Sequence, residues 1–158
     1  MEYLLFADFF GYVALIIALY GVQASISDSY YLKKIGNWFV VWCFSMAALL
    51  IITLASKSGL VLFPAFGFCV VGLAPKFEEW MDGKMHLIGA VTIIAGGLVM
   101  VMVDFSLLYG LGAAIVLGLF IALTKKLNNR ILWIELLAFT LVFVGIKWKA
   151  ISAVLTSF

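Results

Sequence analysis

Charged residues are scarce in this chain. Its 158 residues include 10 Lys and Arg and 8 Asp and Glu, or 11% of the total, whereas about a quarter of the residues in a soluble domain are charged. Hydrophobic residues make up 66%, and the mean hydropathy is +1.23. These values exclude a water-soluble domain. A net charge of +2 without a basic patch also argues against nucleic acid as a partner.

Residues that hold metals or form disulfides are equally rare. His86 is the only histidine, and a zinc hydrolase needs several His and acidic ligands that converge on the metal. Cys43 and Cys69 fall within apolar stretches, where cysteine behaves as a small apolar residue, so no disulfide is indicated. Neither a Ser-His-Asp pattern with a nucleophile elbow nor a phosphate loop is present. We therefore predict no metal, no cofactor and no catalytic residue.

The chain is built instead from six apolar stretches, each near the roughly 20 residues that a helical membrane crossing requires. They are continuously apolar and do not alternate in polarity, which excludes the strands of a β-barrel. The sequence predicts an all-α fold, a polytopic transmembrane helical bundle that forms one integral membrane domain over residues 1–158. The predicted spans cover residues 4–23, 38–55, 59–74, 85–103, 105–124 and 131–148. The third span carries Pro64 near its start, so a re-entrant segment is an alternative there.

Basic residues predict the orientation, because Lys and Arg are retained on the cytoplasmic side. The first, third and fifth connections contain Lys33, Lys34, Lys76, Lys84, Lys125, Lys126 and Arg130. The opposite side contains Lys57, Lys147 and Lys149. Both termini are therefore expected outside and the odd-numbered connections in the cytoplasm. A bacterial inner membrane is the default localisation, because the chain is compact and has no visible eukaryotic sorting signal.

The odd-numbered connections hold the best candidate site, since parity brings their polar residues to one membrane surface. The candidate ligand-binding residues are Ser25, Ser27, Asp28, Tyr30, Tyr31, Glu78, Glu79, His86 and Glu135. Purely structural roles are the alternative. Ser27 or Asp28 then caps a short interfacial helix, and the two tyrosines anchor it among the lipid headgroups. The third connection then forms a solvated loop or an amphipathic turn.

Three residues that are charged at neutral pH lie within the predicted spans, namely Asp8, Glu135 and Lys147. A charge at bilayer depth costs on the order of 2.5–3.5 kcal/mol, so each should reach the surface, find a partner or serve a function. All three lie near helix ends, so extension of the side chain to the membrane surface is the favoured interpretation. The alternative is pairing, of Asp8 with Lys147 across helices 1 and 6, and of Glu135 with His86, Arg130 or a hydroxyl of the first connection. No charged residue lies at the centre of a span, which argues against the midplane ion site of a coupled transporter.

Short motifs of the odd-numbered connections carry a resemblance. The sequence Ser-Ile-Ser-Asp-Ser-Tyr-Tyr at residues 25–31 follows the first span, Gly-Leu-Ala-Pro at 72–75 ends the third, and His-Leu-Ile-Gly-Ala at 86–90 opens the fourth. Their order resembles that of small six-helix membrane proteins related to the Frag1/DRAM/Sfk1 group. That group includes many bacterial proteins of unknown function. The resemblance implies a six-helix shape and a membrane role connected with lipid, and it transfers no catalytic residue.

Small and aromatic residues indicate where helices meet each other and the headgroups. Helix 5 carries Gly110, Ala114 and Gly118 at intervals of four, and such a stripe lets another helix approach closely. The approaching helix could belong to the same chain, to a second copy or to a membrane protein partner. The tryptophans fall mostly near span ends, as interfacial anchors do. They are Trp38, Trp42, Trp80, Trp133 and Trp148.

Three hypotheses of function remain open at this point. The first is a non-enzymatic membrane protein that binds membrane lipid or another apolar ligand, or acts as a partner subunit, through the odd-numbered connections. The second is a small transporter or channel whose route is lined by Asp8, Glu135 and His86. The third is a lipid-modifying enzyme that uses His86 and the acidic third connection.

Overall fold

The computed structural model describes residues 2–31, 36–76 and 79–155, and within these ranges it contains six α-helices and no strand. The all-α prediction is confirmed. The helices are α1 Glu2–Tyr20, α2 Gly36–Leu54, α3 Leu62–Leu73, α4 Glu79–Met100, α5 Leu107–Leu123 and α6 Arg130–Leu155. Three short 3₁₀ segments lie at Ser27–Tyr31, Gly59–Val61 and Ala74–Lys76, and α4 continues into a π-helix at Val101–Phe105.

Four of the helices are long and apolar enough to cross a membrane. The qualifying stretches are Tyr3–Tyr20, Asn37–Leu54, Gly83–Phe105 and Arg130–Trp148. The apolar helices Gly59–Leu73 and Leu107–Leu123 are shorter. At 1.5 Å per α-helical residue and 2.0 Å per 3₁₀ residue they extend roughly 24–26 Å, less than the roughly 30 Å of a bilayer core. Length and composition therefore support four of the six predicted spans.

Contacts between distant segments show which connections lie together. The backbone N–H of Leu132, at the start of α6, donates to the carbonyl of Ala24 in the first connection at 3.0 Å. Ser58, between α2 and α3, is hydrogen-bonded to Asp104, between α4 and α5. The first connection therefore lies beside the start of α6, and the second lies beside the fourth, as parity predicts.

Helix α3 crosses α4 at a pair of glycines. A Cβ atom at Gly67 would lie 2.8 Å from the carbonyl oxygen of Gly89, and one at Gly89 would lie 2.9 Å from the carbonyl oxygen of Gly67. Further along, a Cβ atom at Gly96 would lie 3.3 Å from the backbone nitrogen of Pro64, which occupies the first turn of α3. The two helices therefore run antiparallel in close contact along α3. The helix is continuous over Leu62–Leu73 but shorter than a bilayer core, so the spanning and the re-entrant interpretations of the third stretch both stay predictions.

The small-residue stripe of α5 is used unevenly. A Cβ atom at Gly110 would lie 3.0 Å from the Cα atom of Met102, so this glycine lets α5 approach the π-helix of the same chain. A Cβ atom at Gly118 would have no atom within 4 Å among the described residues. Ala114 lies between these extremes, partly buried against a small apolar cluster that includes Leu117 and Ala138. One end of the stripe serves packing within the chain, and the other is open.

Candidate ligand-binding site

The first connection forms a turn that is held by its own side chains. The backbone N–H of Ser25 donates to the carboxylate of Asp28 at 3.1 Å, and the N–H of Asp28 donates to the Ser25 hydroxyl at 3.3 Å. The hydroxyls of Ser25 and Ser27 lie 2.8 Å apart. This reciprocal pairing resembles a capping box, in which two side chains satisfy backbone donors at a helix start. The predicted short helix is present as the segment Ser27–Tyr31, and Ser25 and Asp28 secure its start.

The aromatic end of this turn points to two neighbouring helices. The ring of Tyr30 lies edge-on to Phe39 of α2, with centroids 6.4 Å apart. Ser29 is fully buried, and its hydroxyl is 2.8 Å from the hydroxyl of Tyr12 on α1. Sequence reasoning selected Tyr30 and Tyr31 but missed Ser29 and Tyr12. The side chain of Tyr31 lies outside the described part of the chain, so its anchoring role stays a prediction.

Glu135 of α6 is hydrogen-bonded to the same turn. Its carboxylate accepts a hydrogen bond of 2.8 Å from the backbone N–H of Ile26. The sequence suggested a hydroxyl of this connection, His86 or Arg130 as the partner, and the structure provides a backbone amide instead. The hydroxyls of Ser25 and Ser27 are bonded to each other. The guanidinium of Arg130 donates to the carbonyl of Ile121 on α5 at 2.8 Å.

A narrow cavity lies directly beside this carboxylate. Three predicted site residues line it, namely Ser27 from the first connection, His86 from α4 and Glu135 from α6. The rest of the wall is apolar, and much of it is aromatic. The aromatic lining residues are Phe39, Trp42, Phe68 and Phe139. We call this space the polar-mouth cavity, because hydrogen-bonding groups sit on one part of its wall and aromatic rings on the rest.

Trp42 is buried in this wall and carries an unsatisfied polar group. It is 7% exposed, and its indole N–H has no hydrogen-bond partner among the residues that the structure describes. The sequence suggested an interfacial anchor, which for Trp42 is wrong. Its ring is stacked on Tyr12 at 4.4 Å and meets Phe68 edge-on at 5.9 Å. Since buried polar groups are rarely left unpaired, the indole N–H is a feature that a ligand or a water molecule could satisfy.

The polar-mouth cavity is small in this conformation. The space open to the centre of a water molecule is about 30 Å³, enough for one or two water molecules. A second cavity of about 20 Å³ adjoins it and has an entirely apolar lining. The two share Phe68, Ile93, Ile94 and Phe139. Small voids therefore continue from the polar mouth into the apolar centre of the bundle.

The remaining predicted site residues are not all brought to this cavity. Ser25 and Asp28 support the turn next to it. Glu79 opens α4, but its side chain belongs to the part that is not described, and Glu78 lies outside the described residues altogether. The third connection therefore contributes His86 at its α4 side, and the acidic contribution predicted from Glu78 and Glu79 stays a prediction.

A second, larger space opens between α1 and α2. It measures about 480 Å³ and is lined by Ala7, Asp8, Gly11, Tyr12, Leu15, Ile16, Trp38, Val41, Trp42 and Ser45. We call it the α1–α2 groove. The carboxylate of Asp8 accepts a hydrogen bond of 3.0 Å from the hydroxyl of Ser45. The sequence suggested Lys147 as the partner of Asp8, but the Lys147 ammonium lies over the ring of Tyr3, 4.5 Å from its centroid.

Sequence reasoning also missed a polar pair at the opposite end of the bundle. Ser58 is buried, caps the 3₁₀ segment at Gly59–Val61 and is hydrogen-bonded to the carboxylate of Asp104. Asp104 falls between two predicted spans, so no signal marked it as the partner of a buried serine. It lies in the π-helix at Val101–Phe105.

No group of three or more His, Cys, Asp or Glu side chains converges within residues 2–31, 36–76 and 79–155. No protein-family model matches the chain, and neither does any curated protein or solved structure. The resemblance to the Frag1/DRAM/Sfk1 group therefore stays a prediction. Function is therefore inferred from the geometry of the cavity and the groove.

Proposed function

We propose that the chain is an integral membrane protein that binds a membrane lipid or another apolar ligand in the polar-mouth cavity, without converting it chemically. One observation carries this proposal. Ser27, His86 and Glu135, from three separate parts of the chain, meet at one cavity whose remaining wall is apolar. Sites for small ligands are typically apolar, with a few polar groups that fix the ligand's orientation. The ligand's polar end would face the three polar residues.

The size of the cavity defines how such a ligand would enter. A space for one or two water molecules cannot hold an acyl chain, so binding requires the bundle to open. Phe68 and Phe139 line both small cavities, and rotation of these two rings would join them into one longer space. The proposal therefore includes a ligand-free closed state and a ligand-bound open state, whose populations the ligand shifts.

A filling substitution tests this proposal. Ala90 lines the polar-mouth cavity, whereas Ala95 lies on the exposed side of the same helix. We would purify wild type, Ala90→Leu and Ala95→Leu in native lipid discs and identify copurifying molecules by mass spectrometry. A specific lipid retained by wild type and Ala95→Leu but lost from Ala90→Leu would support the proposal. Equal retention by all three would refute it.

Two other results would replace this proposal with another function. Solute flux into proteoliposomes that disappears with Glu135→Ala would favour the transporter or channel hypothesis. Chemically altered lipid after incubation, abolished by His86→Ala, would favour a lipid-modifying enzyme. Both assays use the same purified protein, so they can accompany the mass spectrometry.

The proposed setting is a bacterial inner membrane with both termini outside and the odd-numbered connections in the cytoplasm. The distribution of basic residues supports this orientation, with seven in the odd-numbered connections and three on the other side. Under this proposal the polar-mouth cavity faces the cytoplasmic leaflet. A C-terminal reporter that is active only outside the cytoplasm should therefore be active, and an inactive reporter would reverse the orientation.

We also propose that the open end of the α5 stripe can accept a second copy or a membrane protein partner. Gly118 supports this, because a side chain placed there meets no described atom. Gly118→Leu should then lower the fraction of any oligomer in mild detergent. Gly112→Leu is the matched control, since Gly112 is equally open and lies on another side of the same helix. An oligomer that both variants leave unchanged would contradict a contact through Gly118.

A further inference from the structure

The α1–α2 groove is a second space, which shares Trp42 with the wall of the polar-mouth cavity, and we propose that it binds a lipid that carries an ammonium group. The ammonium would sit at the carboxylate of Asp8, and the alkyl chain would follow the groove between the two helices. This inference does not depend on a ligand in the polar-mouth cavity. It rests on the charge, the shape and the aromatic lining of the groove.

The described residues compensate the charge of Asp8 incompletely. Its hydrogen-bond donor among the described residues is the Ser45 hydroxyl at 3.0 Å. The same hydroxyl is 2.9 Å from the carbonyl oxygen of Trp42. Because a hydroxyl has one proton, it can donate to only one of the two at a time. A carboxylate within a membrane-spanning helix is costly unless it is paired, and a cation from the bilayer would supply the pair.

The groove has a carboxylate and a hydroxyl at one end and a mainly apolar lining beyond them. Asp8 and Ser45 form the polar end, and Leu15, Ile16, Val41 and Trp38 line the part that continues away from them toward the start of α2. Asp8 lies six residues after the start of α1, which is about 9 Å along the helix. Side chains on a helix lean toward its N-terminus, so the carboxylate is directed toward the nearer membrane surface. A lipid in the groove would place its ammonium group at Asp8 and its chain along the two helices toward Leu15 and Trp38.

Aromatic rings next to the carboxylate suit a cation. Tyr12 follows Asp8 by four residues and therefore lies on the same side of α1. Its ring is stacked on Trp42, with an angle of 9° between the planes, and both rings line the groove. Ammonium groups are attracted to the faces of aromatic rings. Trp42 is 7% exposed and has one face covered by Tyr12, so Tyr12 is the ring that remains for a cation. A carboxylate beside this ring distinguishes an ammonium lipid from a neutral lipid of the same length.

Gly11 keeps the groove open. It lies between Asp8 and Leu15 on α1, lines the groove, and has no described atom within 4 Å of a Cβ position. A larger residue there can be accommodated without moving the backbone, but it would occupy the space that the alkyl chain needs. Gly11→Leu therefore blocks the groove while leaving Asp8 in place. Gly112→Leu, at an equally open glycine on α5, is its control.

The test uses discs of phosphatidylglycerol, a lipid that carries no ammonium group, to which dodecylamine or dodecanol is added, with binding measured by native mass spectrometry. Wild type should bind the amine more tightly than the alcohol. Asp8→Asn, which keeps the shape of the side chain and its Ser45 contact, should weaken amine binding about tenfold and leave alcohol binding unchanged. Gly11→Leu should weaken binding of both compounds, and Gly112→Leu should weaken neither.

The outcomes separate this inference from the proposed function. Ala90→Leu fills the polar-mouth cavity and should leave amine binding unchanged, so each site can fail without the other. Equal affinity of wild type for amine and alcohol, or equal amine affinity of wild type and Asp8→Asn, would overturn the inference. Absence of amine binding by wild type would also overturn it. A basic residue from the transmembrane helix of another protein would then be the remaining candidate partner of Asp8. Thermal unfolding of each variant would verify that the loss is not caused by misfolding.

Discussion

The two carboxylates of Glu135 and Asp8 lie within apolar helices near opposite ends of the bundle. They differ in their hydrogen-bond donors and in the size of the space beside them. Glu135 receives a backbone N–H from Ile26 and borders a space of about 30 Å³. Asp8 receives a hydroxyl that has a competing acceptor and borders a space of about 480 Å³. The first carboxylate secures a connection. The second is left for a partner from the bilayer.

Glycines show the same contrast between the two regions. Gly67 lies where α3 crosses α4, close to Ile93 of the polar-mouth cavity, and a Cβ atom there would lie 2.8 Å from two backbone atoms. Gly11 lines the α1–α2 groove, and a Cβ atom there would have no described atom within 4 Å. One glycine is required for close packing. The other provides open space at the surface of the bundle.

The largest expected effect comes from changing these two glycines to alanine. Gly67→Ala should lower the free energy of unfolding by about 2–3 kcal/mol, because backbone atoms and not flexible side chains must move. Gly11→Ala should raise it by about 0.5–1 kcal/mol, because alanine favours a helix more than glycine does. Unfolding in mixed micelles of increasing SDS content, followed by tryptophan fluorescence, measures both. Changes of the same sign would remove the contrast between the packed region and the open one.

A smaller difference is expected between the two carboxylates. Glu135→Ala leaves the buried N–H of Ile26 without an acceptor and should cost about 1–3 kcal/mol. Glu135→Gln keeps an acceptor and should restore most of this loss. Asp8→Ala should cost less than about 1 kcal/mol or stabilise the protein, because it removes a charge that is incompletely paired. If Asp8→Ala were as costly as Glu135→Ala, Asp8 would be a structural residue, and its charge would no longer support a cationic ligand in the groove.

Sequence patterns predicted the helices better than they predicted which helix faces meet. Long apolar runs indicated every helix, and parity brought Ser27 and Glu135 to one end. The runs are apolar on all sides, so nothing distinguished Phe39 or Phe139, which line the cavity, from residues that face lipid. Ser45 gave no signal either, because one hydroxyl in an apolar helix reveals no partner until two helices are paired.

The polar pair of Ser58 and Asp104 shows a second reason for such omissions. The two residues are 46 positions apart and lie in different connections. Each looks like an ordinary residue at the end of a span, and only the packing of α3 against α4 brings them together. Contacts of this kind follow from helix packing and have no local sequence pattern.

The smallest effect is expected where the two regions touch. Tyr12 lines the α1–α2 groove, and its hydroxyl is bonded to buried Ser29, in the turn that carries Ser27 of the polar-mouth cavity. Tyr12→Phe should cost about 1 kcal/mol, because it removes one hydrogen bond and leaves the Ser29 hydroxyl unpaired. Adding Ser29→Ala removes that unpaired group, so the double variant should cost less than the sum of the single variants. Strict additivity would mean that the two hydroxyls do not interact, and that the groove and the cavity are independent at this contact.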